Sequence, residues 1–129
     1  MDHPNQALIR AAYAAFAAGD LAALDVLIAP DVRWHVPGRG SLAGDYLGRD
    51  AVYGLFASLS ELTGASLRQE LHAVLADDRH GVVLVEERAE RDGRPSILRV
   101  VQVLHLDGGK ITEFWEAPLD PAAYDDLFG

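Results

Sequence analysis

The sequence contains no cysteine, which excludes disulfide bonds, a thiol nucleophile and a zinc–thiolate site. It is also poor in basic residues, because Lys and Arg total 11 against 20 Asp and Glu, for a formal net charge of −9. A nucleic-acid-binding face is therefore not expected, since phosphate contacts need clustered Lys and Arg. No apolar run approaches the ~20 residues that a membrane span requires. These absences predict a cytoplasmic protein that binds neither nucleic acid nor membrane.

Patterns typical of metal and nucleotide sites are also missing. The five His residues are scattered, and none forms a His-x-His or His-x-x-x-His pair. The Gly-rich stretch 38–48 carries neither a Walker Lys-Ser/Thr nor a Gly-x-Gly-x-x-Gly pattern. We therefore expect no metal site and no cofactor.

Half of the 129 residues are hydrophobic, which is enough for a substantial core in a single domain over residues 1–129. Apolar residues at helical spacing predict helices over residues 4–18 and about 49–62. A further helix is predicted between them, opened by Asp20 as N-cap and ended by Pro30.

The remaining segments predict strands. Residues 31–36 form the first, and residues 37–48 are expected to be a loop because they include four Gly and one Pro. Turn-forming residues separate four further strands, at about 66–77, 81–91, 95–106 and 110–117. The order helix, helix, strand, helix and four-strand meander predicts an α+β fold. The last segment, "PAAYDDLFG", is expected either to dock or to fray.

Strand 95–106 is apolar on both faces, because Val100 and Leu104 alternate with Val101 and Val103. Such a strand is expected to be covered on both sides. Helices can cover one face, and a second subunit is the simplest cover for the other. We therefore predict a homodimer formed through the sheet face.

Four stretches then resemble a known superfamily: "AAFAAGDLAAL" (14–24), "PDVRWHVPG" (30–38), "GRDAVYGLF" (48–56) and "DGGKITEFWEAPLD" (107–120). In order and spacing the chain resembles the SnoaL-like group of nuclear transport factor 2-like proteins, relatives of ketosteroid isomerases and polyketide cyclases. The resemblance implies a cone-shaped fold, in which a curved antiparallel or mixed sheet wraps around three helices and leaves a central pocket. It does not fix the activity, since one fold hosts many functions.

The ketosteroid isomerase machinery is matched only in part. The resemblance places Val36 where those enzymes carry the Asp base, and Val36 cannot take a proton. It places Ala12 at the position of a Tyr donor, with Tyr13 one residue away. Gln102 falls at the position of a protonated Asp donor, and a Gln amide can donate at any ordinary pH. The usual isomerase constellation is therefore not expected.

The last strand resembles that of the SnoaL-like polyketide cyclases, which often reads Glu-His-Trp-Asp and here reads Glu113-Phe114-Trp115-Glu116. The resemblance gives Glu116 the general acid/base role, and it places Gln102 roughly where those enzymes carry a His. Strand alternation puts Phe114 and Glu116 on one face, where apolar neighbours would resist ionisation of the carboxyl. We predict that Glu116 and Gln102 are catalytic, with Gln102 holding a substrate oxygen. The alternative is a Glu116 at the wet rim or paired with an Arg.

Glu87 is a second candidate acid, because the resemblance turns it inward with Val85. Two carboxylates could support epoxide hydrolysis, and the alternative is a solvated or Arg-paired Glu87. His35 is expected to point away from the pocket. We predict that apolar, aromatic and acidic side chains line the pocket and bind substrate, namely Tyr13, Phe16, Trp34, Val36, Phe56, Val85, Glu87, Val100 and Phe114.

The sequence thus predicts a homodimer that binds a small, hydrophobic, oxygen-bearing metabolite. The expected chemistry is cofactor-independent isomerisation, cyclisation, dehydration or epoxide opening. Two alternatives of the same fold stay open, which are a non-catalytic ligand-binding module and a dimeric interaction module.

Overall fold

A computed structural model describes residues 3–129 and shows the predicted α+β fold in that range. Its four helices are α1 (Pro4–Ala18), α2 (Leu21–Leu27), α3 (Arg49–Leu62) and α4 (Pro121–Phe128). Its six strands are β1 (Ile28–Val36), β2 (Gly44–Leu47), β3 (Arg68–Ala76), β4 (His80–Arg91), β5 (Arg94–Asp107) and β6 (Lys110–Pro118). Within residues 3–129, no helix combines the length and the apolar character that crossing a membrane would require.

The strands form one mixed sheet in the order β2-β1-β6-β5-β4-β3. The β1–β6 pair is parallel, and the other four pairs are antiparallel. This order places β6 between β1 and β5. Trp34 consequently lies beside Phe114, and Gln102 lies directly opposite Glu116.

The first helix begins and ends as predicted, and the second begins as predicted. His3 and Gln6 form a capping box at the start of α1, and Gly19 ends it in the left-handed region at φ 67°. Asp20 caps α2 by accepting a hydrogen bond from the Ala23 backbone N–H.

The predicted end of the second helix at Pro30 was wrong. The helix ends at Leu27, and β1 begins at Ile28, so Pro30 lies inside the strand. The β1–β6 register is irregular between Ile28 and Arg33. A proline has no backbone N–H to donate, and an irregular stretch of pairing is where a strand tolerates one.

The prediction of an unbroken loop over residues 37–48 was also wrong at its end. Gly44–Leu47 forms β2, which pairs with β1 so that Tyr46 lies opposite Trp34. The four residues show little apolar alternation, so local sequence gave no strand signal. Residues 44–47 form a strand because they pair with the edge of β1.

The last segment docks as α4. Asp120 caps the helix by accepting from the Ala123 N–H, and Pro121 occupies its first turn. Tyr124, Leu127 and Phe128 are buried in the core. Because α4 packs against β5, it closes one end of the space between the helices and the sheet.

A β-bulge interrupts the pairing of β5 with β6. His105 lies opposite Glu113 and Leu106 opposite Ile111, so Thr112 is an extra residue on β6. Ile111 and Phe114 are both buried in the core although they are three residues apart. Strict alternation would have placed them on opposite faces. The bulge thus places Phe114 and Glu116 on the inner face of the sheet.

Candidate functional site

A cavity with a volume of about 80 Å³ lies between the inner face of the sheet and the four helices. One wall is aromatic. The ring of Phe16 meets that of Phe56 edge-on at 4.7 Å between centroids, and Phe56 meets Trp34 edge-on at 5.5 Å. Trp34 stacks on Phe114 at 3.9 Å. This wall suits a hydrophobic ligand.

The polar end of the cavity is a hydrogen-bonded network centred on Glu116. Gln102 Nε2 donates to Glu116 Oε1 at 2.8 Å, and the Tyr124 hydroxyl donates to Glu116 Oε2 at 2.7 Å. The Tyr13 hydroxyl donates to Gln102 Oε1. Both oxygens of Glu116 thus receive a donor, an arrangement that suits a carboxylate.

Glu87 lies deeper in the same cavity and is only 4% exposed. Gln69 Nε2 donates to its Oε2 at 3.3 Å, whereas its Oε1 has no hydrogen-bond partner within residues 3–129. Burial raises the pKa of Glu87 well above its ordinary value, and the charge of Glu116 raises that pKa further. Glu87 is therefore held as a carboxylic acid beside Glu116, both of whose oxygens accept hydrogen bonds.

Two tyrosines keep their protons beside this pair. Burial raises the pKa of Tyr13 well above its ordinary value, with smaller contributions from the charges of Glu116 and Glu87. Burial likewise raises the pKa of Tyr124, helped by the charge of Glu116 and the hydrogen bond to it. Both hydroxyl groups are consequently donors throughout the physiological range.

Most of the side chains predicted to be catalytic or to bind substrate lie on the wall of this cavity. They are Tyr13, Phe16, Trp34, Val36, Phe56, Glu87, Gln102, Phe114 and Glu116. Val85 and Val100 are packed in the core and are not among the residues of the cavity wall, so their role in binding stays a prediction.

The sequence left open whether Glu116 and Glu87 are solvated or paired with an Arg. Glu116 is half-buried, faces the cavity and has no salt bridge among residues 3–129. Glu87 is not solvated, and no Arg in the described chain pairs with it. The two acids lie on β6 and β4, which flank β5.

Sequence reasoning missed two members of the site, Tyr124 and Gln69. The helix that carries Tyr124 had a readable signal, an Asp-Pro start followed by apolar residues at positions 124, 127 and 128. Gln69 had none, because its role depends on lying opposite Glu87 across the β3–β4 pair.

A second cavity of about 450 Å³ adjoins the first. The two share wall residues, which are Phe16, Leu24, Phe56, Leu59 and Leu67. The Phe16–Phe56 pair therefore lines both cavities. We call the first, whose wall includes Glu87 and Glu116, the acidic chamber, and the second, whose wall includes Arg68, the outer chamber.

The opposite face of the sheet carries a separate polar cluster around Glu113. His35 bonds to Asp45 Oδ1 through Nδ1 and to Glu113 Oε2 through Nε2, each at 2.7 Å. The hydrogen bond to Asp45, followed by that to Glu113, raises the pKa of His35. Its ring stacks on Trp115. The prediction that His35 points away from the pocket is confirmed.

Replacing Glu87 with glutamine is expected to stabilise the protein increasingly as the pH rises. The folded-state pKa of Glu87 is raised, so its stabilising proton is fully bound below the unfolded pKa and is lost as the pH rises through the folded pKa. A glutamine never ionises. Urea unfolding at about pH 9 should show a gain of about 1–3 kcal/mol, the usual penalty for a buried polar group that lacks partners, with little gain near pH 4.

The neighbouring Glu86 provides the matched control for that substitution. It faces the other side of β4, where it accepts a hydrogen bond from Arg88 at 2.7 Å. Glu86→Gln should change the free energy of unfolding by less than about 1 kcal/mol, and in the destabilising direction. A Glu87→Gln gain that did not grow with pH would contradict the assigned protonation.

Comparison with known proteins identifies the class to which this fold and cavity belong. The SnoaL-like domain family matches residues 9–114, so the chain belongs to that family. Glu116 and Tyr124 lie just beyond the matched segment. An uncharacterised protein of Mycobacterium tuberculosis (strain H37Rv) is 34% identical over 128 residues, which cover 98% of each chain.

Solved structures show the same architecture. Bal32a, from a soil-derived mobile gene cassette, is 31% identical, covering 97% of this chain and 96% of its own, with a TM-score of 0.92. IdmH of Streptomyces antibioticus, provisionally assigned as a polyketide cyclase, is 20% identical, covering 91% of this chain and 93% of its own, with a TM-score of 0.76. The predicted nuclear transport factor 2-like fold is confirmed.

Proposed function

We propose that this protein is a cofactor-independent acid–base enzyme acting on a small, hydrophobic, oxygen-bearing metabolite. The observation that carries the proposal is the Glu87–Glu116 pair at the closed end of an aromatic cavity. When their surroundings give two neighbouring carboxyl groups different protonation states, one site provides both an acid and a base. The provisional assignment of IdmH as a polyketide cyclase supports the same reaction class.

In the proposed reaction Glu116 is the base. It removes a proton from a substrate carbon next to a carbonyl, or from an attacking hydroxyl group. The protonated Glu87 then donates its proton to the substrate oxygen on which negative charge develops. After this step Glu116 holds a proton and Glu87 is ionised. Transfer of that proton from Glu116 to Glu87, directly or through a water molecule, restores the starting state.

The remaining polar groups position this pair. Gln102 holds Glu116 with one of its two amide N–H groups, so the second is available for a substrate oxygen. Tyr13 fixes the amide orientation of Gln102 by donating to its carbonyl oxygen. Tyr124 holds the other oxygen of Glu116. We therefore assign Tyr13 and Tyr124 positioning roles.

Proton exchange tests the proposal before a natural substrate is known. The protein is incubated in D₂O with a panel of apolar ketones, β-dicarbonyl compounds and epoxides. Nuclear magnetic resonance then follows deuterium uptake next to the carbonyl, and mass spectrometry follows product. The expected result is exchange or conversion that the Glu87→Gln/Glu116→Gln double variant loses while its melting temperature is kept. Exchange that the double variant retained would remove the acidic pair from the mechanism.

A ligand-binding role without catalysis is the second candidate. It is favoured by the way in which the donors of Tyr13, Tyr124 and Gln69 are already bound to protein acceptors. The same panel separates the two functions, because a binder would retain compounds in the cavity with neither deuterium uptake nor product.

We also propose that the outer sheet face pairs two copies of the chain. Val101, Val103 and Trp115 lie on that face and are only half-buried in the single chain. Val103→Glu should convert a dimer into a monomer in light scattering coupled to gel filtration, because it places charge in the apolar centre. Val26→Glu, at a 67% exposed position on α2, is the matched control and should remain dimeric. A dimeric Val103→Glu variant would place the contact elsewhere.

A further inference from the structure

The acidic chamber has few donors to offer a ligand. The Tyr13 hydroxyl proton is bound to Gln102, the Tyr124 hydroxyl proton to Glu116, and an amide proton of Gln69 to Glu87. Gln102 keeps one amide N–H that is not bound to Glu116. Glu87 Oε1 is buried and has no hydrogen-bond partner among residues 3–129. Such a chamber is complementary to a ligand that donates hydrogen bonds.

The chamber also lacks positive charge. Within the described chain, none of the residues on its wall is Lys, Arg or His, although two of them are Glu. The one basic side chain nearby, Arg68, belongs to the wall of the outer chamber. Charges this deep in a protein are normally paired, because desolvation penalises an isolated ion. Among residues 3–129, the acidic pair therefore has no cationic partner.

We propose that the ligand of this pocket is a hydrophobic amine, whose ammonium group donates to Glu87 and balances the negative charge of the acidic pair. This inference rests on the proposed function for the role of Glu116 as base. The ammonium group takes the place of the carboxyl proton of Glu87, and Glu87 becomes the carboxylate that holds it. The ammonium N–H then serves as the acid that faces the developing charge.

The shape of the cavity fits such a ligand. An inner volume of about 80 Å³ has room for a small cationic head, and the adjoining volume of about 450 Å³ has room for an apolar tail. The tail would lie against Phe16 and Phe56, which line both chambers. The negative faces of Trp34 and Phe114 also attract a cation. An anionic ligand would instead meet like charge at the closed end.

Binding of the amine is expected to release a proton to solvent. Glu87 is protonated in the free protein because it is buried beside Glu116, and it must ionise to pair with the ammonium group. The other titratable groups that face it are Glu116 on β6, Tyr13 on α1 and Tyr124 on α4. Both tyrosines stay protonated, so Glu87 is the group that supplies the proton.

A matched set of three compounds tests the inference by isothermal titration calorimetry. Phenylbutylamine, phenylbutanol and phenylbutyrate share one apolar body and differ in the charge of the head group. We expect the amine to bind at least about tenfold more tightly than the alcohol, which corresponds to a difference of about 1.4 kcal/mol, and the carboxylate not to bind. Titration in buffers of different ionisation enthalpy should show release of about one proton per amine bound.

Glu87→Gln is the diagnostic variant and Glu86→Gln its control, on opposite faces of β4. Glu87→Gln should abolish both the preference for the amine and the proton release while its melting temperature shows that it is folded. Glu86→Gln should keep both. No binding of the amine, equal binding of amine and alcohol, or an unchanged preference in Glu87→Gln would overturn the inference.

These outcomes are distinguishable from those of the proposed function. Proton exchange on neutral ketones without any preference for amines would leave the acid–base function in place and remove the amine. Tight binding of the amine with no exchange or conversion of any compound would support the amine as ligand and remove the acid–base function. The binding assay needs no turnover, so one result does not depend on the other.

Discussion

Glu116→Gln is expected to lower turnover by about 10²- to 10⁴-fold on any compound that the proton-exchange panel identifies, the usual contribution of a general base. A glutamine keeps the volume of the side chain and can still bond to Gln102 and Tyr124, but it cannot accept a substrate proton. Because the pocket keeps its shape, the loss should appear in kcat and leave KM within a fewfold of the parent value. Steady-state kinetics of both proteins provide the measurement.

A matched control and a pH profile sharpen this test. Glu61→Gln, at an exposed position on α3, should leave the kinetic constants unchanged. In the parent, activity should fall as the pH rises through the raised pKa of Glu87, because the acid form is the one that donates. Glu87→Gln should lose that alkaline limb along with most of the activity. Full activity in Glu116→Gln would show that the base is another group.

Gln102→Leu is expected to destabilise the protein by about 2–4 kcal/mol. The substitution keeps the approximate volume of a buried side chain that is 3% exposed, so little cavity is created. It removes the partner of the Tyr13 hydroxyl and one donor to Glu116. A buried polar group left without a partner costs about 1–3 kcal/mol, and two groups are affected. Urea unfolding of parent and variant measures the difference.

A double-mutant cycle with Tyr13→Phe separates the network from packing. Tyr13→Phe removes the hydroxyl group that loses its partner in Gln102→Leu. The two substitutions together should therefore cost about 1–2 kcal/mol less than the sum of the single effects. Strict additivity would mean that the hydrogen bond between Tyr13 and Gln102 contributes nothing to stability.

Local chemistry was sufficient to predict much of this fold. A Pro near the start, a Gly at the end and apolar residues at helical spacing placed α1 at Pro4–Ala18, and similar spacing placed α3 at Arg49–Leu62. By contrast, β2 and the first residues of β1 are strands because of the neighbouring strands with which they pair. Short strands made by pairing leave little trace in their own composition.

Strand alternation was enough to predict which residues of β6 face the site. Alternation from Glu113 onward correctly put Phe114 and Glu116 on the inner face. That Glu87 comes close to Glu116 depends on β4 and β6 flanking β5, which no local pattern encodes. The contribution of Tyr124 required knowing that α4 folds back over the strand it follows. The network was therefore beyond local prediction, although most of its members were not.

The extra residue at Thr112 has a consequence for comparing this chain with its relatives. Alignments that place a gap one position away on β6 would exchange inner and outer residues, so Trp115 would be read as a pocket residue and Glu116 as part of a subunit contact. Matching relatives through Phe114 avoids this, because that side chain is fixed by stacking on Trp34. An acidic residue two positions after such an aromatic one is then the feature to look for in sequences of unknown activity.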